Sequence, residues 1–130
     1  EAEEDRVAVE GVERAVAEGR DADLYVFAAI NRYQLELVKR ISRARPSVPV
    51  ALLSFASPYY LEAAPDVDAY VCTYSYLDGA QRAAAEAVLG EFQMSGRLPV
   101  TLPGFYAFGH RVDERFAVAP ASTLDAGSLR

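Results

Sequence analysis

One histidine and one cysteine limit what this chain's side chains could do chemically. His110, at the end of "GFYAFGH", could contact a substrate or move a proton. Equally, Phe105, Tyr106 and Phe108 could pack around it as an ordinary loop histidine. Cys72 lies inside the apolar run "AYVCTY", where a thiol behaves as a small apolar residue. A single cysteine excludes an internal disulfide and any cysteine cluster around a metal. No metal site and no cofactor is expected.

A second group of residues stands out by position. If the apolar runs are parallel strands, ligands gather at their carboxyl ends. Those ends carry Asn31 and Arg32, then Ser57 and Tyr59, then Tyr74, Tyr76 and Asp78. Amphipathic rings suit ligands and domain interfaces alike. Asp78 has a further reading as a helix cap, with Gln81 three residues on.

The elements that must position these residues follow from pattern. Val9, Val12 and Val16 recur at helical spacing, and Gly19 is a natural stop. "DLYVFAAI" is apolar almost without a break from Leu24 to Ile30, which predicts a strand covered on both faces. "RYQLELVKRISRAR" puts Leu35, Val38 and Ile41 on one helix face, and Pro46 ends it. Val48–Ser54 and the run from Ala69 predict two more buried strands. "DGAQRAAAEAVLG" predicts a helix from Asp78 to Gly90, and "LPVTL" a short fourth strand at a sheet edge, fenced by Pro99 and Pro103. Helices alternating with doubly covered strands imply an α/β fold. The expected form is a three-layer sandwich with a mostly parallel sheet, flavodoxin-like or Rossmann-like.

Bulk composition removes several classes. At 130 residues, 52% hydrophobic and 25% charged, the chain suits one globular domain. A formal charge of −6 argues against nucleic acid as a partner. No apolar run approaches the roughly 20 residues of a spanning helix, which argues against a membrane span. A nucleotide-binding reading needs a glycine-rich turn after the first strand, and "AAINRYQ" has none. A signalling domain with acidic strand ends is not supplied by "DLYVFAAI" or "VALLSF" either. The chain opens at Glu1 within a helical pattern, so it is expected to be a piece of something longer, truncated at its N-terminus. Residues 1–112 are read as the domain and 113–130 as an arm or linker rich in Ala, Ser and Pro.

The segment "TYSYLDGAQRAAAEAVLGEFQMSGRLPVTLPGFYAFGH" resembles the C-terminal α/β sandwich domain of family-three glycoside hydrolases. The resemblance rests on Tyr74, Gln81, Ala83, Ala84, Leu89, Gly90, Ser95, Gly96, Arg97, Leu98, Pro99, Thr101 and Pro103. Upstream, "VALLSFASPYYL" is similar to that family's strand and turn at Ser57, Pro58 and Tyr59. The ending "GFYAFGH" looks most like the bacterial β-N-acetylglucosaminidase branch, some members of which carry a β-lactamase-like domain.

Such enzymes are retaining glycosidases, and the resemblance implies that the nucleophile lies in a preceding β/α barrel. Retention by two acids needs carboxyls about 5–5.5 Å apart across one glycosidic bond. The resemblance therefore implies an accessory domain with no catalytic residue of its own, packing on that barrel with carbohydrate at the domain boundary. In the β-glucosidase branch the C-terminal domain instead supplies an acid/base glutamate. Glu62, after "SPYYL", is the better placed acid for that role; Glu86 lies inside a regular helix and Glu91 just past its end. A non-enzymatic small-ligand-binding α/β domain is the third reading. The substrate-contact or interface set is then Ser57, Tyr59, Glu62, Tyr74, Tyr76, Asp78 and His110.

Overall fold

The computed structural model describes residues 2–112 and divides the chain into two compact units, Glu1–Ser75 and Tyr76–Arg130. The expected arm at 113–130 lies outside the described residues. The first unit is a small α/β domain built on a parallel sheet of three strands, in the order β1-β2-β3.

Helix α1 (Ala2–Glu18) ends where foreseen, with the Gly19 amide donating to the Ala15 carbonyl at 2.9 Å. Glycine is required there by space. A Cβ would stand 2.7 Å from Cε1 of the Tyr25 ring and 2.9 Å from the Ala15 carbonyl oxygen. Val12 and Ala15 pack on the core, whereas Val9 of the expected stripe is exposed.

Strand β1 (Tyr25–Ala29) leads into α2 (Arg32–Ala44) through a capping box. The Asn31 carboxamide oxygen accepts from the Gln34 amide at 3.2 Å. The Gln34 side chain in turn accepts from the Ile30 amide at 2.7 Å and the Asn31 amide at 3.3 Å. Two donors left free by the first helical turn are thereby satisfied. The predicted stripe of Leu35, Val38 and Ile41 is buried against Tyr25, Ala29, Val50 and Leu52.

Strand β2 (Val50–Ser54) is central and buried throughout. It pairs in parallel with β1, Tyr25 opposite Val50, and with β3 (Ala69–Cys72), Ala51 opposite Ala69. The short helix α3 (Tyr60–Ala63) occupies the β2–β3 connection. At its far end the Asp68 carboxylate accepts from the Val50 amide at 2.8 Å, while the Asp68 amide donates to the Val50 carbonyl at 2.8 Å. This reciprocal pair starts the β2–β3 ladder.

The expectation for β1 needs correction. Its burial alternates: Tyr25 and Ala29 are buried, but Val26 and Ala28 are exposed. An apolar run promised two covered faces, yet β1 ends the sheet: Tyr25, Phe27 and Ala29 pack with Leu35, Val38 and Ile41 of α2, while Val26 and Ala28 stay exposed.

In the second unit, helix α4 (Asp78–Val88) forms as the alanine-rich pattern foretold, but its start differs. Asp78 does not cap it. The cap position falls on Leu77, whose carbonyl accepts from the amides of Ala80 at 2.9 Å and Gln81 at 3.1 Å, with no side-chain cap. Asp78 is the first helical residue, where its charge still suits the helix dipole. Gln81 turns its side-chain amide to the Tyr76 carbonyl at 2.7 Å instead of closing a capping box.

The C-terminal end agrees with the sequence reading. Gly90 has φ of 70°, its amide donates to Ala87, and the Glu91 amide donates to Glu86, which together form a Schellman motif.

The expected fourth strand is absent from the described residues. The run "LPVTL" is irregular, and its one ladder-type pairing among the described residues is an isolated antiparallel bridge between Leu102 and Tyr106. Leu98 donates to the His110 carbonyl and accepts from the Gly109 amide, both at 2.8 Å, so a closed loop replaces the strand. Pro99 inside the run and Pro103 just after it leave too few donors for a ladder. Leu102 is the buried anchor of this loop.

These caps separate two helix starts by experiment. Asn31→Ala should cost about 1 kcal/mol in urea unfolding, whereas Asp78→Ala should stay within about 0.5 kcal/mol. Gly19→Ala should cost about 1–3 kcal/mol, because Tyr25 and the α1 backbone leave no room for a methyl group.

Candidate functional site

Three parallel strands deliver their carboxyl ends to one edge of the first unit. Ile30 and Asn31 follow β1, Phe55 to Tyr59 follow β2, and Thr73 to Ser75 follow β3. The turn after β2 is held by hydroxyls from the sheet. Ser54, almost fully buried, donates from Oγ to the Ser57 carbonyl at 2.7 Å. The Tyr70 hydroxyl donates to the Pro58 carbonyl at 2.9 Å and reaches the Ser57 carbonyl at 3.2 Å. Tyr60 donates from its hydroxyl to the Ile30 carbonyl at 3.1 Å, tying α3 to the end of β1. Without these donors, carbonyls of an irregular turn would be left without partners beside the core.

The rigid base carries exposed rings above it. Tyr59 is 41% exposed and Tyr74 45% exposed, and Tyr74 holds φ of 57° without being glycine. A bulky residue in the left-handed region is an uncommon and costly conformation. Next to it, Thr73 donates from Oγ1 to the Ser75 carbonyl at 2.8 Å, which fixes the bend after β3. Ser57 is partly spent on the chain itself, its Oγ accepting from the Tyr59 amide at 3.3 Å. Glu62 is exposed on α3.

Tyr33 was missed by position-based reading. It is 88% exposed in the first turn of α2, just past the end of β1. A signal existed, since Tyr33 falls off the Leu35, Val38 and Ile41 stripe. Ile30 is 51% exposed at the same edge.

Cys72 lies beneath this edge and is half-buried. Burial pushes its thiol above the ordinary range, and hydrogen bonding with Tyr70 and Ser54 only partly opposes that. The Tyr70 hydroxyl is raised by burial first and then by the adjacent thiol. Tyr74 moves the same way, mainly through burial. A neutral, shielded thiol is a poor nucleophile, which agrees with its reading as a small apolar residue.

Tyr76, Asp78 and His110 belong to the second unit. Tyr76 and Asp78 are exposed at the start of α4. His110 is exposed, and its ring stacks on Tyr106 with centroids 4.3 Å apart. Phe108 is also exposed, so the expected packing of three aromatics around His110 reduces to this one stack. Glu86 lies within α4, and Glu91 follows its C-terminal turn.

A concavity of about 460 Å³ lies at the opposite, amino end of the strands, lined by Lys39, Arg43, Val48, Val67 and Asp68 among others. Lys39 is paired with Glu36, and Asp68 is committed to the Val50 amide. No group of three or more His, Cys, Asp or Glu side chains among the described residues could hold a metal ion. None of the described helices is long and apolar enough to cross a membrane. No protein-family model, curated protein or solved structure matches the chain.

The chemistry of Cys72 yields a pH test. A thiol pKa raised on folding means the folded state keeps its proton while the unfolded thiol, at about 8.5, loses it. Its contribution is therefore complete below that value and fades as pH climbs toward the folded-state value. Urea midpoints followed from neutral pH into the alkaline range should fall, and Cys72→Ala should flatten the first part of that fall. Tyr70→Phe should cost about 1–2 kcal/mol at neutral pH, since the Pro58 carbonyl loses its donor.

Proposed function

We propose that this chain is an accessory α/β sandwich domain of a retaining β-glycosidase of the β-N-acetylglucosaminidase kind. In this reading it packs on a β/α catalytic barrel and borders the carbohydrate site. The observation that supports it most is the carboxyl edge of the sheet. Tyr33, Tyr59 and Tyr74 are exposed in the segments that follow β1, β2 and β3, and the turn after β2 is held by the buried Ser54 and by Tyr70. Exposed rings on a rigid support suit a neighbouring domain or a sugar face.

The acids favour an accessory role. Glu62 is the one acid of α3, with Asp66 in the turn after it and Asp68 committed to the Val50 amide, and Glu86 and Glu91 belong to a regular helix and its end. Retaining hydrolysis by two acids needs a facing pair, and in this reading the nucleophile of that pair comes from the barrel.

The test adds the purified 130-residue chain to the isolated barrel of a family-three β-N-acetylglucosaminidase. Turnover of a chromogenic β-N-acetylglucosaminide is followed, with a β-glucoside in parallel. The chain alone should give no turnover, and its addition should raise barrel activity or thermal stability. A Tyr59→Ser/Tyr74→Ser variant should lose that effect while keeping its circular-dichroism spectrum. A barrel indifferent to the chain would overturn the proposal. So would turnover by the chain alone that Glu62→Gln abolishes, which would instead favour the β-glucosidase branch.

A further inference from the structure

We propose that the free edge of β1 pairs antiparallel with β1 of a second copy of this chain, joining two sheets into one across a two-fold axis. The inference rests on backbone direction, exposed apolar side chains and charge, and it is independent of the glycosidase reading.

The backbone sets the possibility. The Tyr25 amide donates to the Pro49 carbonyl, and the Ala29 carbonyl accepts from the Phe55 amide. Tyr25, Phe27 and Ala29 therefore turn their peptide groups toward β2, and Val26 and Ala28 turn theirs away. Among the described residues no strand lies on that side. Natural edges are usually blunted by lysine, proline, an inward charge or a bulge. The sequence Tyr-Val-Phe-Ala-Ala from Tyr25 to Ala29 has none of these.

The side chains agree. Val26 is 46% exposed, Ala28 is exposed, and both project on the same face of the sheet. An antiparallel copy centred on Phe27 places Val26 opposite Ala28 of the second copy. Both residues have free amides and carbonyls, so each such pair exchanges two hydrogen bonds. The axis then supplies the same pair again.

Charge selects a second copy over an unrelated strand. Asp21 and Asp23 precede β1, and Arg32 follows it. Asp21 has Arg20 at 3.6 Å, while Asp23 and Arg32 have no ion pair among the described residues and are exposed. Antiparallel pairing sets the Arg32 end of each strand against the Asp21–Asp23 end of the other, twice over. Arg20 and Arg45 also lie near the amino end, Arg20 beside Asp21 and Arg45 on the Arg20 carbonyl. The complementarity therefore rests on Asp23 before the strand and Arg32 after it, each facing the other of the second copy in this orientation. A short edge buries less than the roughly 1,200 Å² of a standard interface, so the dimer is weak and exchanges rapidly.

Sedimentation velocity of the 130-residue chain over a rising micromolar series tests this. A monomer–dimer equilibrium is expected. Val26→Lys and, separately, Arg32→Glu should each weaken it about tenfold or more. The double variant Asp23→Arg/Arg32→Glu exchanges the charges and should recover the dimer. Circular dichroism identical to the parent confirms that each variant is folded. Arg32→Glu is well suited, because an acid at the start of a helix is favourable. A monomer at every concentration overturns the proposal, as does a dimer that neither single variant weakens, or a double variant that stays as weak as Arg32→Glu.

Discussion

The first unit depends on the burial of β2. All five of its residues are removed from water, so every amide and carbonyl along it needs a partner within the protein. Parallel pairing with β1 and β3 supplies these partners, and the Asp68 side chain and backbone supply them at the entry to the strand. A parallel pair cannot be joined by a tight turn. The need to satisfy β2 therefore obliges the chain to make crossovers, α2 between β1 and β2 and the segment containing α3 between β2 and β3, and both pack into one core. The candidate site exists because those crossovers must begin at the carboxyl ends of the strands.

That edge combines two opposite treatments of polar groups. Hydroxyls of Ser54, Tyr60 and Tyr70 point inward and are spent on carbonyls of the connecting turns. Tyr33, Tyr59 and Tyr74 instead leave their rings partly or largely in solvent. The inward set holds the backbone of the turn from which Tyr59 projects, and a fixed backbone gives an exposed ring value in recognition, because less freedom is lost on contact. The Tyr74 backbone, held in the left-handed region, is the most constrained point of that support. Beneath it, Cys72 remains a shielded, neutral thiol that fills space.

The sheet also has an edge that no described strand occupies. Most parallel sheets have both faces covered, yet β1 shows Val26 and Ala28 on one face and unshared peptide groups along its edge. The two features are linked, since a terminal strand has neither a neighbour nor the width of sheet that draws a helix across it. With a formal charge of −6, the chain repels its copies at long range, which disfavours unspecific association. The opposite charges at the two ends of β1 act only at contact.

Much of this was legible in the residues. The spacing of Leu35, Val38 and Ile41 set the buried face of α2, Gly19 and Gly90 marked helix ends, and the apolar runs marked three strands. These features are local, and propensity, periodicity and steric limits act within a few residues. What depended on distant partners was not legible. Residues 24–30 read as doubly covered because hydrophobicity reports a tolerance for burial, whereas strand order alone made β1 an edge. Asp78 had the chemistry of a cap, but the direction of the chain at Leu77 put it inside the helix. The "LPVTL" run had a strand's apolar content, but strand formation needs a neighbour, and Leu98 found Gly109 and His110 in a loop instead. Sequence determined which segments could be helix or strand. Tertiary structure decided which were covered, capped or paired, because each of those outcomes requires atoms that the segment itself does not contain.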